Sequence, residues 1–286
     1  MINLIRTLND LEKYQQDRFA NKRVGLVPTM GNLHEGHLSL LEKSSQENDI
    51  SIITIFVNPK QFGPNEDFDK YPRTLEADIA KIEAKFKNEI IVFAPEDNSE
   101  IYPLGFDTTI KVGAITKILC GANRPSHFDG VTTVVYQLFK ISKANTAYFG
   151  QKDFQQVKVI ERMVSDLGLN IKLSILPISR DADGLARSSR NQYLSAEQRL
   201  IALQLPQTLI EIETILRAQS WVNSVIKVNK ILESYISNKD WDYLEILDAK
   251  TLKSVSQLTD EVVILGALRV GATRLIDNRK LEIRYA

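Results

Sequence analysis

Through the first ~180 residues, apolar β-rich runs alternate with segments of helical period, which is the pattern of a parallel sheet covered by helices. Strands are predicted over 24–27, 50–57, 90–93, 146–149 and 171–177, and helices over 37–46, 75–86, 131–141 and 154–167. Pro28, Pro59 and Gly150 close their strands in the way β-to-α loops begin. After Pro177 the pattern changes. A polar stretch over 179–191 leads into helical patterns at 196–218 and 221–238, and then into strand-like runs at 243–247, 262–270 and 273–277. Helices followed by clustered strands read as a separate unit. The expected fold class is α/β: a Rossmann-like parallel sheet with helices on both faces over 1–178, plus a smaller C-terminal α+β domain, a lid, over 179–286.

The chain has 286 residues, 43% hydrophobic and 25% charged, enough to bury sizeable cores without disulfide or metal staples. Lys and Arg total 36 and Asp and Glu total 36, so no net field draws it to nucleic acid or to an anionic membrane. Neither partner is expected, and any polyanion must be held locally. One cysteine, Cys120, cannot form an internal disulfide and fits a reducing compartment. The opening MINLIRTLNDLEK lacks the apolar core and cleavage site of a signal peptide. There is no apolar run of the ~18 residues that a membrane span needs, and a cytoplasmic location is expected.

In an open parallel sheet ligands bind beyond the carboxyl ends of the strands, so the loops after residues 27, 57 and 149 are the places for chemistry. Of three histidines, two fall in the first of these loops, His34 and His37 in PTMGNLHEGH. If a helix starts near His34, both imidazoles lie on one face beside the N–H groups and positive dipole end that suit phosphate. Gly31 and Gly36 let backbone approach a ligand. The set describes a cradle whose imidazoles donate to charge developing during phosphoryl or nucleotidyl transfer. The plainer alternatives are a surface histidine pair or two ligands of an adventitious metal. No Walker A pattern and no Gly-x-Gly-x-x-Gly follows the first strand. A second donor-rich element is DGLARSSRN at 183–191, where Arg190 offers a planar fork and the serines offer hydroxyls; without the histidine motif it reads first as a solvated turn capping the next helix.

The segments VPTMGNLHEGHLSL, IFVNPKQFGPNEDFDKYPRT, RPSHFDGVTTVV, YFGQKDFQQ and DGLARSSRNQYLS, spread over 27–195, closely resemble those of the pantothenate synthetase family of pantoate and β-alanine ligases. That family belongs with the nucleotidyltransferases that carry a His-x-Gly-His motif and a mobile Lys/Ser-rich loop. The resemblance implies adenylation of the pantoate carboxylate by Mg-ATP, with release of pyrophosphate. Attack by β-alanine then yields pantothenate and AMP. It also implies a homodimer. His34 and His37 are the expected phosphate contacts, with His37 the nominal proton donor; Lys152 and Arg190 join them as catalytic residues. ATP is expected to meet Met30, Gly150, Lys152, Asp153, Ser179, Arg187, Ser188, Ser189 and Arg190 as well. Pantoate and β-alanine are assigned to Gln61, Gln156, Asn58 and Arg124, although any one of the amides alone reads equally as a loop-stabilising side chain bonded to backbone, and Arg124, with His127, equally as a structural loop residue. Neutral amides suit this role because a bidentate arginine would tie up the nucleophilic carboxylate, whereas amides orient the hydroxyls of pantoate and leave the carboxylate reactive. Asp78, at the start of a helix, is the carboxylate named for Mg²⁺.

One position departs from the family pattern: Arg187 stands where Met or another apolar residue usually precedes Ser188-Ser-Arg. It matters only if its side chain, not its backbone, meets adenine. Rivals are another nucleotidyltransferase with the same phosphate motif, a nucleotide-binding regulatory module without catalysis, and a nucleic-acid binder. The first would have no reason to place Gln61 and Gln156 around a small dihydroxy acid.

Overall fold

The computed structural model describes residues 1–64, 66–236 and 238–286. Asn65, in the 55–74 motif, and Ser237, near the end of the helix predicted over 221–238, lie outside the described residues. The chain divides into two compact units, Met1–Gly150 with Gln155–Leu176, and Gln151–Phe154 with Pro177–Ala286.

In the first unit the order is β1 (Ile2–Ile5), α1 (Leu8–Arg18), β2 (Val24–Thr29), α2 (Glu35–Glu47), β3 (Ile50–Ile55), α3 (Leu75–Lys85) and β4 (Ile90–Phe93). It continues with α4 (Cys120–Asn123), α5 (His127–Ser142), β5 (Thr146–Gly150), α6 (Phe154–Asp166) and β6 (Lys172–Leu176). The strands form one parallel sheet in the order β1-β4-β3-β2-β5-β6. Successive strand residues serve opposite faces. Leu26, Ile52 and Ile91 pack with Leu11 of α1, Val134 and Leu138 of α5 and Ile160 of α6. Val27, Ile53 and Val92 pack with Leu38 and Leu41 of α2 and Ile82 of α3. A sheet covered on both faces needs apolar side chains at every position, which is why the strands read as continuous runs instead of alternating ones.

The sequence pattern missed β1 and α1. The strand is a four-residue edge, and α1 buries only Leu11 and Gln15, so neither carries a strong apolar period. The strand predicted to run to residue 57 stops at Ile55, because Asn58 caps the 3-10 turn Pro59–Gln61.

The second unit has α7 (Ala196–Ala202), α8 (Gln204–Ala218), α9 (Trp221–Ile236), β7 (Trp241–Asp248), β8 (Glu261–Val270) and β9 (Thr273–Glu282), the strands forming an antiparallel sheet β7-β8-β9. The helix predicted over 196–218 is two helices, because Pro206 has no N–H for the carbonyl of Ala202 and is tolerated only in the first turn of a new helix. Leu205, Leu209 and Ile212 of α8 pack on Val262, Ile264 and Leu268. Gly266 permits that contact: a Cβ there would stand 2.7 Å from Leu205 Cδ1.

Candidate active site

β2 lies between β3 and β5, so the strand order reverses around it, and its carboxyl end is where an open parallel sheet opens a crevice. The chain leaves β2 through a tight loop in which Gly31 (φ +80°) and Asn32 (φ +48°) are left-handed. Asp78, fully buried at the start of α3, holds the loop. Its Oδ2 accepts the Asn32 N–H at 2.8 Å and the Thr74 hydroxyl at 3.1 Å, and its Oδ1 accepts the Leu33 N–H at 2.7 Å. The Lys81 ammonium donates to the Leu33 carbonyl at 2.6 Å and stands 3.8 Å from Asp78. Both oxygens of Asp78, the carboxylate expected to meet Mg²⁺, are thus engaged by the loop, and the side chain is fully buried. The carboxylate shapes the loop.

His34 then caps α2. Its Nδ1 accepts the Gly36 N–H at 3.1 Å, while the His34 N–H points at His37 Nδ1 at 3.4 Å. With Nδ1 of each ring facing a donor, the neutral tautomer carries its proton on Nε2. The rings stack, centroids 4.0 Å apart and 27° from parallel. The two imidazoles thus stand side by side at a helix N-terminus.

The loop after β3 brings a second group together. Gln61 donates Nε2–H to the sulfur of Met30 at 3.0 Å and accepts from Asn58 Nδ2 at 3.1 Å. Asn58 is 1% exposed and its bonding capacity is used: Nδ2 also donates to the Gly130 carbonyl at 3.1 Å, and Oδ1 accepts the Lys60 N–H at 3.2 Å and the Tyr102 hydroxyl at 2.8 Å. Asn58, expected as a substrate contact, braces Gln61 in this structure. Gly130 of α5 makes this packing possible, since a Cβ there would lie 2.1 Å from the Lys60 carbonyl oxygen.

Arg124 is engaged likewise. Its Nε donates to Glu66 Oε1 at 2.6 Å and its Nη2 to Glu66 Oε2, with further bonds from Nη1 to His127 Nε2 at 3.1 Å and from Nη2 to the Gln61 carbonyl at 3.3 Å. A guanidinium so engaged clamps the loop. Burial works to raise the Glu66 carboxyl, but the hydrogen bonds and charge of Arg124 outweigh it and hold Glu66 below its ordinary range. A cavity of about 410 Å³ opens beside these loops, with Met30, Gly31, Phe56, Val57, Arg6 and Arg73 in its wall.

At the end of β5, a Cβ on Gly150 would meet nothing within 4 Å, so the backbone there borders open space. In α6, Gln156 is partly exposed, whereas its neighbour Gln155 is buried and bonds the Cys120 N–H and the carbonyls of Ile115 and Ile118. Nothing in the residue pattern signals that one glutamine of the pair is structural.

Lys152 and Asp153 sit in the 3-10 turn Gln151–Asp153, which groups with the second unit although it directly follows β5. Asn278 of β9 donates to the carbonyls of Gln151 and Lys152 at 2.9 and 3.0 Å. The same unit carries the donor-rich loop. Arg180 and Ala186 pair across a turn at Gly184 (φ +92°), the Arg187 N–H donates to the Ser179 carbonyl at 2.9 Å, and Ser188 caps the 3-10 turn Ser189–Tyr193 by accepting the Arg190 N–H at 3.3 Å. The Arg187 guanidinium stands 3.0 Å from Asp181 and donates to the Arg180 carbonyl at 3.2 Å. Arg180 forks onto the buried carboxylate of Asp277 at 2.7 and 2.9 Å.

Residues 3–280 match the family model described as pantoate-beta-alanine ligase. The chain is 46% identical to the pantothenate synthetase of Acetivibrio thermocellus over 99% of its own length and 100% of that protein. It is also 46% identical to the pantothenate synthetase of Moorella thermoacetica, with 99% of both chains covered. Among solved structures, the pantothenate synthetase of Thermus thermophilus superposes with a TM-score of 0.87 at 38% identity, covering 99% of this chain and 100% of that one. The Francisella tularensis pantoate-beta-alanine ligase, complexed with beta-gamma ATP and beta-alanine, gives 0.76 at 33%, covering 98% and 97%. With a histidine-capped helix at the sheet's switch point and relatives that match it from end to end, the chain belongs to the pantoate-β-alanine ligase family.

Proposed function

We propose that this chain carries out the reaction of its family with the residues described above. The reaction is the ATP-dependent condensation of (R)-pantoate with β-alanine to pantothenate. In the first half a pantoate carboxylate oxygen attacks the α-phosphorus of ATP, and the bond to the β-phosphate oxygen breaks, giving pantoyl adenylate and pyrophosphate. In the second the β-alanine amine attacks the activated carbonyl carbon and AMP leaves. The first half demands positioning and neutralisation of phosphate charge more than covalent help from the protein.

The observation that carries this assignment is the stacked pair of imidazoles, each with Nδ1 facing a backbone N–H and hence Nε2–H as its donor. His34 and His37 donate to the phosphates as charge moves onto the leaving pyrophosphate. Met30 and Gly150 border the nucleotide through backbone. Lys152 neutralises charge on pantoate and phosphate, Asp153 accepts from ribose hydroxyls, and Ser179, Ser188, Ser189 and Arg190 complete the nucleotide contacts. Because the Arg187 side chain is engaged with Asp181, its main chain is the part assigned to adenine. Gln61 and Gln156 hold pantoate, and Asn58 and Arg124 support Gln61. The relative from Francisella tularensis, complexed with beta-gamma ATP and beta-alanine, supports two of the three substrates.

Among the described residues no group of three or more His, Cys, Asp and Glu is arranged to hold a metal, and Asp78 is consumed by its loop. Mg²⁺ is therefore assigned to the ATP substrate, carried by phosphate and water. Homodimerisation and a cytoplasmic location complete the proposal; no helix among the described residues is long and apolar enough to cross a membrane.

The test is incubation with ATP, Mg²⁺, pantoate and β-alanine, omitting each in turn. Pyrophosphate should form from ATP and pantoate alone, and pantothenate only when β-alanine is added. ATP binding without pantoate-dependent pyrophosphate would mean a nucleotide-binding module and not a ligase.

A further inference from the structure

Gln61 can work only if its amide faces the right way, and the structure contains a chain of hydrogen bonds that decides this. The main-chain N–H of Lys60 is a pure donor and the Gly130 carbonyl a pure acceptor. Asn58, lying between them, must therefore turn Oδ1 toward Lys60 and Nδ2 toward Gly130. Once Asn58 is set, its second Nδ2 proton meets Gln61 Oε1, and Gln61 is left presenting Nε2–H on the side of Met30. A thioether is a weak acceptor, so a ligand oxygen can displace it.

Resting on the assignment of Gln61 to pantoate, we propose that Tyr102 is a positioning residue for pantoate: its hydroxyl locks the Asn58 amide, and so holds Gln61 as a hydrogen-bond donor to the substrate. The Tyr102 hydroxyl donates to Asn58 Oδ1 at 2.8 Å from 44 residues further along the chain. The ring is 9% exposed and is fixed by Phe56 at 6.2 Å, Phe106 at 5.1 Å and the Lys60 ammonium 5.1 Å above it. Burial pushes the phenol up from its usual range, so it remains a donor wherever the enzyme works. Without the hydroxyl, Asn58 Oδ1 keeps only the Lys60 N–H, so the orientation that the backbone favours is held less firmly, and that of Gln61 with it. Gln61 then spends part of its time offering pantoate a carbonyl where a donor is needed.

The experiment is a double-mutant cycle on the full-length protein with Tyr102→Phe, Gln61→Ala and the pair, reading KM for pantoate, ATP and β-alanine together with the thermal midpoint. Loss of one such bond should raise the pantoate KM of Tyr102→Phe roughly three- to tenfold, with the ATP KM within about twofold of the parent and no further rise when Tyr102→Phe is added to Gln61→Ala. If Gln61→Ala weakens pantoate and Tyr102→Phe does not, the positioning role is overturned while the Gln61 assignment stands. An equal rise for all three substrates, or an undiminished effect in the Gln61→Ala background, would mean that Tyr102 is only packing and would also overturn it. A Gln61→Ala variant with unchanged pantoate KM would instead overturn the assignment of Gln61 itself.

Discussion

Two donor-rich loops are held by different physics. The loop from Met30 to His34 is fastened from beneath by the fully buried carboxylate of Asp78 and by backbone N–H groups, with every partner within its own unit. The loop over 179–190 is fastened at one point by a buried carboxylate, Asp277, which takes Arg180, and otherwise at its rim, where Asp181 and Asp183, each about 30% exposed, take Arg187 and Arg199. Buried, charge-assisted bonds are insensitive to salt and costly to break, whereas partly exposed ion pairs contribute little and are screened. The first loop is thus held in one geometry. The second keeps arginines whose ties loosen with ionic strength.

The largest expected effect tests the preorganised side. His37→Ala should lower pantoate-dependent pyrophosphate release by roughly 10²–10³-fold, about 2.7–4 kcal/mol of barrier, because one fixed donor is lost from a charge-stabilising pair. Its effect on stability should stay below about 1 kcal/mol, since the N–H bond to His37 Nδ1 is a long one at 3.4 Å. Near-normal turnover in that variant removes His37 from its role.

Next comes Asp78→Asn. An amide in that place turns an NH₂ against backbone N–H donors, so urea unfolding should report a loss of about 2–4 kcal/mol, while the Mg²⁺ concentration for half-maximal activity stays put. A variant of unchanged stability with a shifted Mg²⁺ requirement would return Asp78 to the metal and erase the contrast between the loops.

The Glu66–Arg124 clamp sharpens the comparison through pH. The folded-state pKa of Glu66 is held below its ordinary 4.5, so the pair contributes stability that is fully present above that value and is lost as pH falls through the folded-state pKa. Glu66→Gln should therefore be less stable than the parent at neutral pH, and the gap should close as the solution is acidified below 4.5. A gap that persists unchanged at low pH would assign the loss to packing.

The smallest effect is expected at the rim. Asp181→Asn should cost under about 1 kcal/mol and change the ATP KM less than about threefold, and the difference should fade at high salt. A salt-independent effect would place that loop in the same class as the first.

Much of the fold was legible because burial on both sheet faces forces continuous apolar runs, and because Pro and Gly mark where they stop. β1 and α1 escaped because an edge strand and a helix that buries two residues have little period to read. The split near Leu203 escaped because the helical pattern runs through Pro206, which tolerates the start of a helix as readily as it breaks one.

At the site, residue types and order alone announced the histidine pair, since i, i+3 spacing at a helix start is a local matter. Whether an asparagine, aspartate or arginine touches a ligand or braces a loop is not local. Asn58 is saturated by a residue 44 positions away, Asp78 by N–H groups 46 and 45 positions away, and Arg124 by a carboxylate 58 positions away. The sequence by itself determined that there is a parallel sheet, which loops lie at its carboxyl ends and the chemistry of the motif. Only tertiary structure decided which polar groups still have a bond to offer a substrate, because that depends on partners the fold brings from distant parts of the chain.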